Sequence, residues 1–269
     1  MSETTPLDAA HAAMQADLDD DAARLGFYER LADGELFLML TEEARGETLN
    51  PEIVELEAEV GEPDRYALVF DREERLAAFA EGPAPYAALP GRVIAAMMAG
   101  SGIGLGVNLG TAPSSILIPA GAVDWLAETL GPAPEETEGQ VQSLEAPRGL
   151  PDRVITGLSA KLGSAAGLCD HALLARARYD DESTGLVLAF IDAVDGSEAA
   201  LARSAHEAMT FSGAEERLDV AFFTATDPVA ERFAKVGLRF DMPKPKPEPV
   251  ETPKPKAPGS DPSKPPILK

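Results

Sequence analysis

The amino-acid sequence changes character near Met242, and this change limits which part of the chain can fold. Before that point, apolar side chains recur with the periods of helices and strands, whereas residues 243–269 are almost entirely Pro, Lys and small polar residues. Such a segment cannot bury enough apolar surface to offset the entropy lost on ordering. We therefore predict a folded body followed by a disordered Pro/Lys-rich C-terminal tail, whose Pro-x-Pro spacing favours extended polyproline II structure.

The body divides into two blocks at a segment without periodicity. Residues 131–149 are rich in Pro, Glu and Gln, which is typical of a linker. We predict a first domain over residues 1–131, a linker over 132–146 and a second domain over 147–242. In both blocks, short apolar runs alternate with amphipathic helical patterns. The predicted fold class is therefore α+β, with a mixed β-sheet and packed helices in each domain.

Local signals place individual elements along the chain. The acidic run Asp17–Asp21 is expected at the first turn of a helix, and Asp71 is expected to cap the helix that follows the third strand. In the second block, Asp227 with the following proline begins a helix, and Asp195 with Glu198 resembles a capping pair. Strands are predicted at residues 36–40, 53–60, 66–70, 115–118, 173–179, 186–192, 218–224 and 238–241. Helices join the last three strands, so we expect these strands to run parallel.

The charge of the chain restricts its partners. A formal charge of −23 and a pI near 4.4 make it repel polyanions, so we expect neither a nucleic-acid partner nor a membrane partner. The single cysteine, Cys169, excludes an internal disulfide framework. The first residues show neither the basic segment nor the apolar run of a signal peptide, and no apolar run reaches the length of a membrane span. We therefore expect a cytoplasmic protein, and the Ala-, Arg- and Gly-rich composition suggests a GC-rich bacterial source.

A glycine-rich run at residues 100–110 is the one stretch that resembles a ligand loop. Glycines let a backbone approach a phosphate and expose its N–H groups. The candidate ligand turn consists of Gly104, Gly106, Asn108 and Gly110. However, dinucleotide and P-loop sites run from strand to loop to helix, whereas here a predicted helix comes first and a strand follows. A tight helix-to-strand turn with close backbone packing is therefore the favoured interpretation, and a ligand turn is the alternative.

Other pairs of reactive residues have simpler explanations. Cys169 and His171 could face the same way on one strand, but neighbours on a strand face are usually too far apart for a thiolate–imidazole pair. With three histidines in the chain, a His-rich metal site is not expected. Asp192 and Asp195 lack the remaining oxygens of a calcium loop. We predict no catalytic residues, no cofactor-binding residues and no metal site.

Three arginines form the candidate interaction surface. Arg176 and Arg178 alternate with apolar residues on one predicted strand, and Arg239 lies on another strand that could neighbour it. If one face of the sheet carries no helix, these side chains would form a basic patch that recognises carboxylates. The alternative is that they are solvated and paired with Asp219 or Asp241.

Short motifs occur along both blocks. The first block has residues 69–79, residues 105–110, Ile116-Leu117-Ile118-Pro119 and Trp125-Leu126. The second block has Gly149-Leu150-Pro151, Arg178-Tyr179, Ala225-Thr226-Asp227-Pro228 and Gly237-Leu238-Arg239-Phe240. In these motifs the two blocks resemble the SseB family, named for enhanced serine sensitivity. The family pattern closes a strand on Asn-Pro-Gly, where this chain has Leu109 in place of the proline. The resemblance implies an SseB N-terminal and an SseB C-terminal domain over about residues 6–242 and no catalytic residues.

Two hypotheses of function follow. The first is a non-enzymatic cytoplasmic interaction or regulatory protein of the SseB type, with a protein partner and no cofactor. The alternative is a small-ligand sensor or an unrecognised enzyme that uses a cleft between the domains or the Gly104–Gly110 turn. A pocket with convergent polar groups and shifted carboxylate pKa values would favour the alternative.

Overall fold

The structure is a computed structural model, and it describes residues 4–44, 46, 48–57, 63–131, 141–180, 182–214 and 216–243. The predicted tail beyond Pro243 and residues 132–140 of the predicted linker lie outside the described residues. The first block contains α1 (Pro6–Ala16), α2 (Asp21–Asp33), β1 (Glu35–Met39), β2 (Ile53–Leu56), β3 (Asp64–Phe70), α3 (Glu73–Phe79), β4 (Tyr86–Pro90), α4 (Gly91–Met98), β5 (Ile103–Val107), β6 (Ile116–Ile118) and α5 (Ala120–Leu130).

The second block continues the chain with a similar mixture of elements. It contains β7 (Val141–Glu145), α6 (Asp152–Ser164), β8 (His171–Tyr179), β9 (Thr184–Ile191), α7 (Glu198–Phe211), β10 (Leu218–Phe223), α8 (Pro228–Val236) and β11 (Leu238–Asp241). The predicted α+β class with one mixed sheet in each block is confirmed. No helix in the described part of the chain is long and apolar enough to span a membrane.

The first sheet has the strand order β4-β1-β3-β5-β6. Strand β2 also pairs with β3, on the same side of β3 as β1. Strands β3 and β5 are parallel, and the other pairs are antiparallel. Alternation along the strands sends one set of side chains into the core beneath α1, α2, α4 and α5. The other set, which includes Leu68 and Phe70, packs against Leu76 of α3. Both faces of this sheet are therefore covered.

The second sheet has the order β10-β9-β8-β11, with β7 also paired to β8. Helices α6 and α7 pack on one face through residues such as Leu158 and Leu201, and α8 packs on the other face through Phe233. Strands β9 and β10 are parallel, as predicted. Strand β11 runs in the same direction but lies on the far side of β8, to which it is antiparallel.

Several local predictions need correction. Residues 141–145 of the predicted linker form strand β7, because they pair with the first strand of the second block's hairpin. Strand β4 was not predicted, since its short Tyr-Ala-Ala-Leu-Pro sequence follows Pro85 and ends on Pro90. Asp71 and Asp195 do not cap helices: the residues at the N-cap positions are Arg72 and Ser197, and neither donates or accepts a side-chain capping hydrogen bond. Asp227 caps its helix. Of the acidic run expected in the first turn of a helix, Asp21 begins α2, Asp20 is its N-cap, and Asp17 is at the C-cap of α1.

The two blocks touch through helices α2 and α7. Phe211 of α7 belongs to the apolar core of the first block, and its ring lies 6.5 Å from that of Trp125. Trp125 also packs edge-on against Tyr28 at 5.3 Å. A packed contact therefore occupies this part of the boundary between the blocks.

Candidate functional site

The three candidate arginines do not form one patch. Arg176 and Arg178 pair with Leu186 and Thr184 of β9 and lie on the sheet face that α6 and α7 cover. Arg239 pairs with Leu173, so it lies on the opposite face, since directly opposed residues point the same way. The expectation that Arg239 neighbours the other two is therefore wrong.

Two of these arginines are held by carboxylates. The Arg176 guanidinium donates to Glu216 Oε1 at 2.9 Å, and Arg239 Nε donates to Asp241 Oδ1 at 2.7 Å. Arg178 is exposed near the end of its strand. Because both sheet faces carry helices, the condition for a broad basic patch, a face without helices, is not met.

The candidate ligand turn contains glycines that packing requires. A Cβ added at Gly104 would lie 2.2 Å from the Ile118 carbonyl oxygen and 2.8 Å from the Tyr66 ring. A Cβ at Gly106 would lie 2.8 Å from the Leu109 side chain. These distances are below ordinary contact, so the two glycines allow β5 to lie close to its neighbours.

The backbone N–H groups at the end of this turn already have acceptors. The Asn108 N–H donates to the Val69 carbonyl, and the Gly110 N–H donates to Ser115 Oγ at 3.1 Å. Asn108 and Gly110 both have positive φ, 49° and 65°, which bends the chain away from the strand. The geometry favours the tight turn over a phosphate cradle, and the ligand turn stays a prediction.

Replacing Gly104 with Ala is expected to lower the free energy of unfolding by about 1–3 kcal/mol, because the added methyl group meets backbone that cannot move freely. Gly121 offers a matched control, since a Cβ there meets no atom within 4 Å and Ala is the better helix former. Urea unfolding of both variants measures the difference. Equal stability of the two variants would contradict the packing role of Gly104.

Asn108 instead joins a buried polar network where β3 and β5 end. Its side-chain oxygen accepts from the Asp71 N–H at 3.1 Å, and its amide nitrogen donates to Ser114 Oγ at 2.8 Å. Ser114 in turn donates to Asp8 of α1 at 2.6 Å. The turn thus connects the parallel strand pair to the first helix.

Arg75 of α3 is the cation of this network, hereafter the Arg75 network. Its guanidinium donates to both oxygens of Asp8, at 3.0 and 2.5 Å, and to Asp71 at 2.8 Å. Thr5 completes the set by donating to Asp71 and accepting from the Asp8 N–H. Arg75 Nε is the one buried side-chain polar atom without a hydrogen-bond partner in the described part of the chain.

Charge pairing decides the protonation of this network. Burial alone would raise the pKa of Asp8, but hydrogen bonds from Arg75, Ser114 and Thr5 hold that pKa well below its usual range. Burial likewise opposes the charge of Arg75, yet its two carboxylate partners raise the Arg75 pKa. Each charge therefore depends on its partner. This network was not predicted from the sequence; its local signals are the Arg75–Asp71 spacing of four residues and the Thr5–Asp8 capping-box spacing of three.

A second charged network, hereafter the Lys161 network, lies between the blocks. Lys161 Nζ of α6 lies 2.6 Å from Asp33 Oδ2, 3.0 Å from Glu207 Oε2 and 3.6 Å from Glu29 Oε1. Arg92 of α4 donates to both oxygens of Glu207, at 3.0 and 3.1 Å, and pairs with Asp33. Lys161 and Glu207 are buried, so this network joins α2 and α4 of the first block to α6 and α7 of the second.

The carboxylates of the Lys161 network differ in protonation energetics. Burial would raise the pKa of Asp33 and of Glu207, but hydrogen bonds and charge from Lys161 and Arg92 outweigh it and lower both values. Burial dominates at Glu29, whose pKa is raised although Lys161 opposes the change. Three carboxylates thus share two cations, and Glu29 is the least stabilised of them.

The remaining reactive residues are unsuited to nucleophilic chemistry. Cys169 is buried, and burial together with the Asp170 charge raises the pKa of its thiol to about 11. The His171 ring points its Nδ1 at Asp170, 2.8 Å away. No group of three or more metal-ligating side chains occurs among the described residues.

Helix α4 presents a different kind of surface. Its inner residues Ile94 and Met98 are buried, whereas Val93 and Met97 are each 40% exposed on the outer side. Ala96 lies between them and is also exposed. A helix that is apolar on both sides normally has partners on both, so we define Val93, Ala96 and Met97 as the α4 outer face.

Two open grooves complete the inventory of candidate sites. One, of about 370 Å³, lies between Gly149–Val154 and the loop at Gly213, beside Glu216. The other, of about 290 Å³, lies where Thr5, Asp33 and Asp71 meet near Arg30 and Arg72. The second groove adjoins both charged networks.

Comparison with known families supports the resemblance in the first block. Residues 7–125 match the family model of the SseB protein N-terminal domain. The matched segment runs from α1 into α5 and contains all but Thr5 of the Arg75 network, together with the α4 outer face. No significant match to the chain was found among curated proteins or among solved structures.

Proposed function

We propose that the chain, whose residues 7–125 match the SseB protein N-terminal domain, is a non-enzymatic interaction or regulatory protein of the SseB type. It acts in the cytoplasm by binding a protein partner. The observation that carries this proposal is the α4 outer face, an exposed apolar surface within the matched domain.

The α4 outer face fits an apolar protrusion of a partner. Val93 and Met97 are one helical turn apart and stand on the same side of α4, with the small side chain of Ala96 between them. The flexible thioether of Met97 adapts to partners of different shape. Contact with another protein would remove this apolar surface from water, which is the main favourable term in association.

The negative charge of the chain restricts which partner can bind at the α4 outer face. The chain carries −23, and Asp124 of α5 lies directly beside the end of α4, where it accepts from the Gly100 N–H at 2.8 Å. A partner with basic residues around an apolar centre is therefore favoured, and nucleic acids and anionic membranes are not. Capture of such a partner is expected to weaken as ionic strength rises.

The state of the buried groups supports a role without catalysis. Asp8, Arg75, Lys161 and Glu207 are each bound by oppositely charged partners, and Cys169 keeps its proton at neutral pH. Ion pairs of this kind hold a fold together, whereas a general base or nucleophile needs a side chain free to react with a substrate.

Capture experiments test the proposal. Wild-type protein and the Val93→Glu/Met97→Glu variant are immobilised and incubated with extract of the native cells, and bound proteins are identified by mass spectrometry. We expect the double variant to recover at least about tenfold less of a specific partner, because two carboxylates replace the apolar contact. Circular dichroism checks that both proteins are folded.

The chain provides a matched control for charge. Leu18 and Val194 are 70% and 51% exposed and lie outside α4, so Leu18→Glu/Val194→Glu adds the same two charges elsewhere. This control is expected to capture the partner as the wild type does. Equal recovery by all three proteins, or no specific partner, would overturn the proposal.

Arg176 and Arg178 provide the second candidate surface, and a separate arm tests them. Charge reversal of both to Glu removes the Arg176–Glu216 ion pair, and exposed pairs of this kind contribute about 0–1 kcal/mol. Folding should therefore persist. Loss of capture in this variant, with capture retained in the α4 variant, would move the interaction surface to the second block.

Ligand sensing remains the alternative function. The groove of about 290 Å³ brings Thr5 and Asp71 close to Arg30 and Arg72, which are polar groups of the kind that orient a small molecule. A small metabolite that raises the thermal unfolding midpoint of the wild type, but not of the Arg30→Met variant, would favour this alternative.

A further inference from the structure

Strand β10 forms one edge of the second sheet, and its outer side has no strand partner among the described residues. Its sequence is Leu-Asp-Val-Ala-Phe-Phe, and five of its six residues are only half buried. An edge strand presents a row of N–H and C=O groups to any chain that can pair with it. The direction and chemistry of this row determine what it can bind.

The hydrogen bonds to β9 show which residues form the outer row. The Leu186 N–H donates to the Arg217 carbonyl, and the Asp192 N–H donates to the Phe223 carbonyl. In a parallel pair, alternate residues bond to the neighbouring strand, so 217, 219, 221 and 223 face β9. The N–H and C=O groups of Leu218, Val220 and Phe222 therefore point outward. All three residues are apolar.

Other edges in the described structure carry features that discourage pairing. In β4, residues 85 and 91 form hydrogen bonds toward β1. Because alternate residues bond to the neighbouring strand, Pro90, which has no N–H, lies in the outward row. Strand β6 has three residues, β7 contains Glu145, and β11 contains Arg239 and Asp241. Proline, charge and short length are the usual protections of an edge. Strand β10 has six residues and no proline, and its one charged residue, Asp219, is bound by Tyr179 and Arg217 of the same copy.

We propose that β10 pairs antiparallel with β10 of a second copy of this chain, about a two-fold axis at Val220. In that register Val220 faces Val220, and Leu218 faces Phe222 of the other copy. Each facing pair exchanges two backbone hydrogen bonds. The second sheet then continues from one copy into the other, and the edge of each copy is covered.

The side chains are compatible with this register. Val220 and Phe222 pack with the core beneath α6 and α7, so at the interface apolar side chains meet apolar side chains on this face. The charged residue of the strand, Asp219, faces Ala221 of the second copy and not another carboxylate. Asp219 is already bound by Tyr179 Oη and by Arg217 Nε, so the pairing leaves no new charge without a partner.

The edge is self-complementary, which favours a second copy over an unrelated strand. A two-fold interface uses the same patch on both partners, and the register centred on Val220 matches every outward group of β10 with one from the same strand. Each copy carries −23, so association is expected to strengthen as salt screens this repulsion. That salt dependence is opposite to the one expected for a basic partner at the α4 outer face.

The oligomeric state of the full-length chain tests the proposal. Light scattering and sedimentation are expected to show a dimer of the wild type that tightens with ionic strength. Val220→Pro removes an outward N–H that β9 does not use, and edge strands accept proline at such positions. We expect this variant to raise the dimer dissociation constant at least about tenfold, the factor expected when hydrogen bonds at an interface are lost.

Val220→Thr is the matched control, because it keeps the N–H, the β-branched shape and the length of the side chain. It is expected to dimerise as the wild type does. A wild type that stays monomeric at a concentration of about 100 μM, well above a micromolar dissociation constant, would overturn the proposal. A dimer that persists unchanged in Val220→Pro would overturn it as well.

Amide hydrogen exchange of the wild type provides a test that requires no variant. On dilution below the dimer dissociation constant, the amides of Leu218, Val220 and Phe222 are expected to lose protection together. The amides of Asp219, Ala221 and Phe223 donate to β9 and serve as internal controls that stay protected. If the exchange rates of the outward amides do not change with protein concentration, the pairing is contradicted. This test holds even if Val220→Pro fails to fold.

Discussion

Replacing Arg75 with Met is expected to lower the free energy of unfolding by about 3–5 kcal/mol at pH 7, the usual cost of removing one partner from a buried ion pair. The change leaves Asp8 and Asp71 without their shared cation, and their side chains are only 2% and 8% exposed. Met keeps most of the packing volume of the Arg stem, so the loss measures charge pairing and not a cavity. Urea unfolding monitored by circular dichroism measures it.

The Arg75 effect should depend on pH in a defined direction. The pKa of Asp8 is lowered in the folded state, so its contribution to stability is present above the unfolded pKa near 3.9 and declines as pH falls below about 5. In the variant, Asp8 can become neutral at higher pH, which relieves the unpaired charge. The difference in stability between wild type and variant should therefore be largest near pH 7 and shrink toward pH 3.

Arg65 supplies the control for this prediction. It lies on the same domain, is about half exposed and pairs with Glu55 at 3.9 Å. Arg65→Met should change the free energy of unfolding by no more than about 0.5 kcal/mol. A loss in Arg75→Met as small as this control would contradict the Arg75 network as an energetic element of the fold.

Replacing Lys161 with Met is expected to cost about 2–4 kcal/mol and to loosen the contact between the blocks. Glu207 and Asp33 would keep Arg92, but Glu29 would lose its cation, and three carboxylates would then share one cation. Lys161 also lies 5.8 Å from the centre of the Phe211 ring, so the variant also removes this cation–π contact. Exposed Lys235 on α8 provides the control, and Lys235→Met should have little effect.

The single tryptophan reports directly on this contact. Trp125 belongs to the first block and packs against Phe211 of the second. In the wild type, unfolding followed by Trp125 fluorescence and by circular dichroism should coincide, because the Lys161 network couples the blocks. In Lys161→Met, the fluorescence change should come first. Two separate transitions in the wild type would contradict the coupling and would favour two independent domains.

Adding Glu207→Gln to Lys161→Met separates charge pairing from packing. The second change removes the carboxylate that the first leaves buried. The sum of the losses in unfolding free energy of the two single variants should therefore exceed the loss in the double variant. Strict additivity would mean that Lys161 and Glu207 do not interact energetically, despite the 3.0 Å between them.

Much of the local structure follows from the sequence. Asp20 and Asp227 cap their helices because an aspartate at the N-cap accepts first-turn backbone N–H groups that have no partner within the helix. The hairpin of β8 and β9 follows from two apolar runs separated by a polar turn. Patterns over a few residues determine such elements, since their energetics are local. The SseB resemblance in the first block rests on the same kind of local pattern.

The pairing of distant residues was decided only by the tertiary structure. Asp71 looks like a helix cap in the sequence, but Thr5, 66 positions away at the start of α1, donates to it in the folded chain. Arg239 is separated from Arg176 because β11 joins β8 in antiparallel register, which sets the face of every side chain.

The charged contact between the blocks shows the same limit. Lys161 meets Asp33 across 128 positions and Glu207 across 46, and no spacing rule connects them. Periodicity depends on neighbouring residues and therefore determined the helices and strands of this protein. Sheet order, register and the burial of charge depend on which elements pack together, so only the folded chain determined the Arg75 network, the Lys161 network and the open edge of β10.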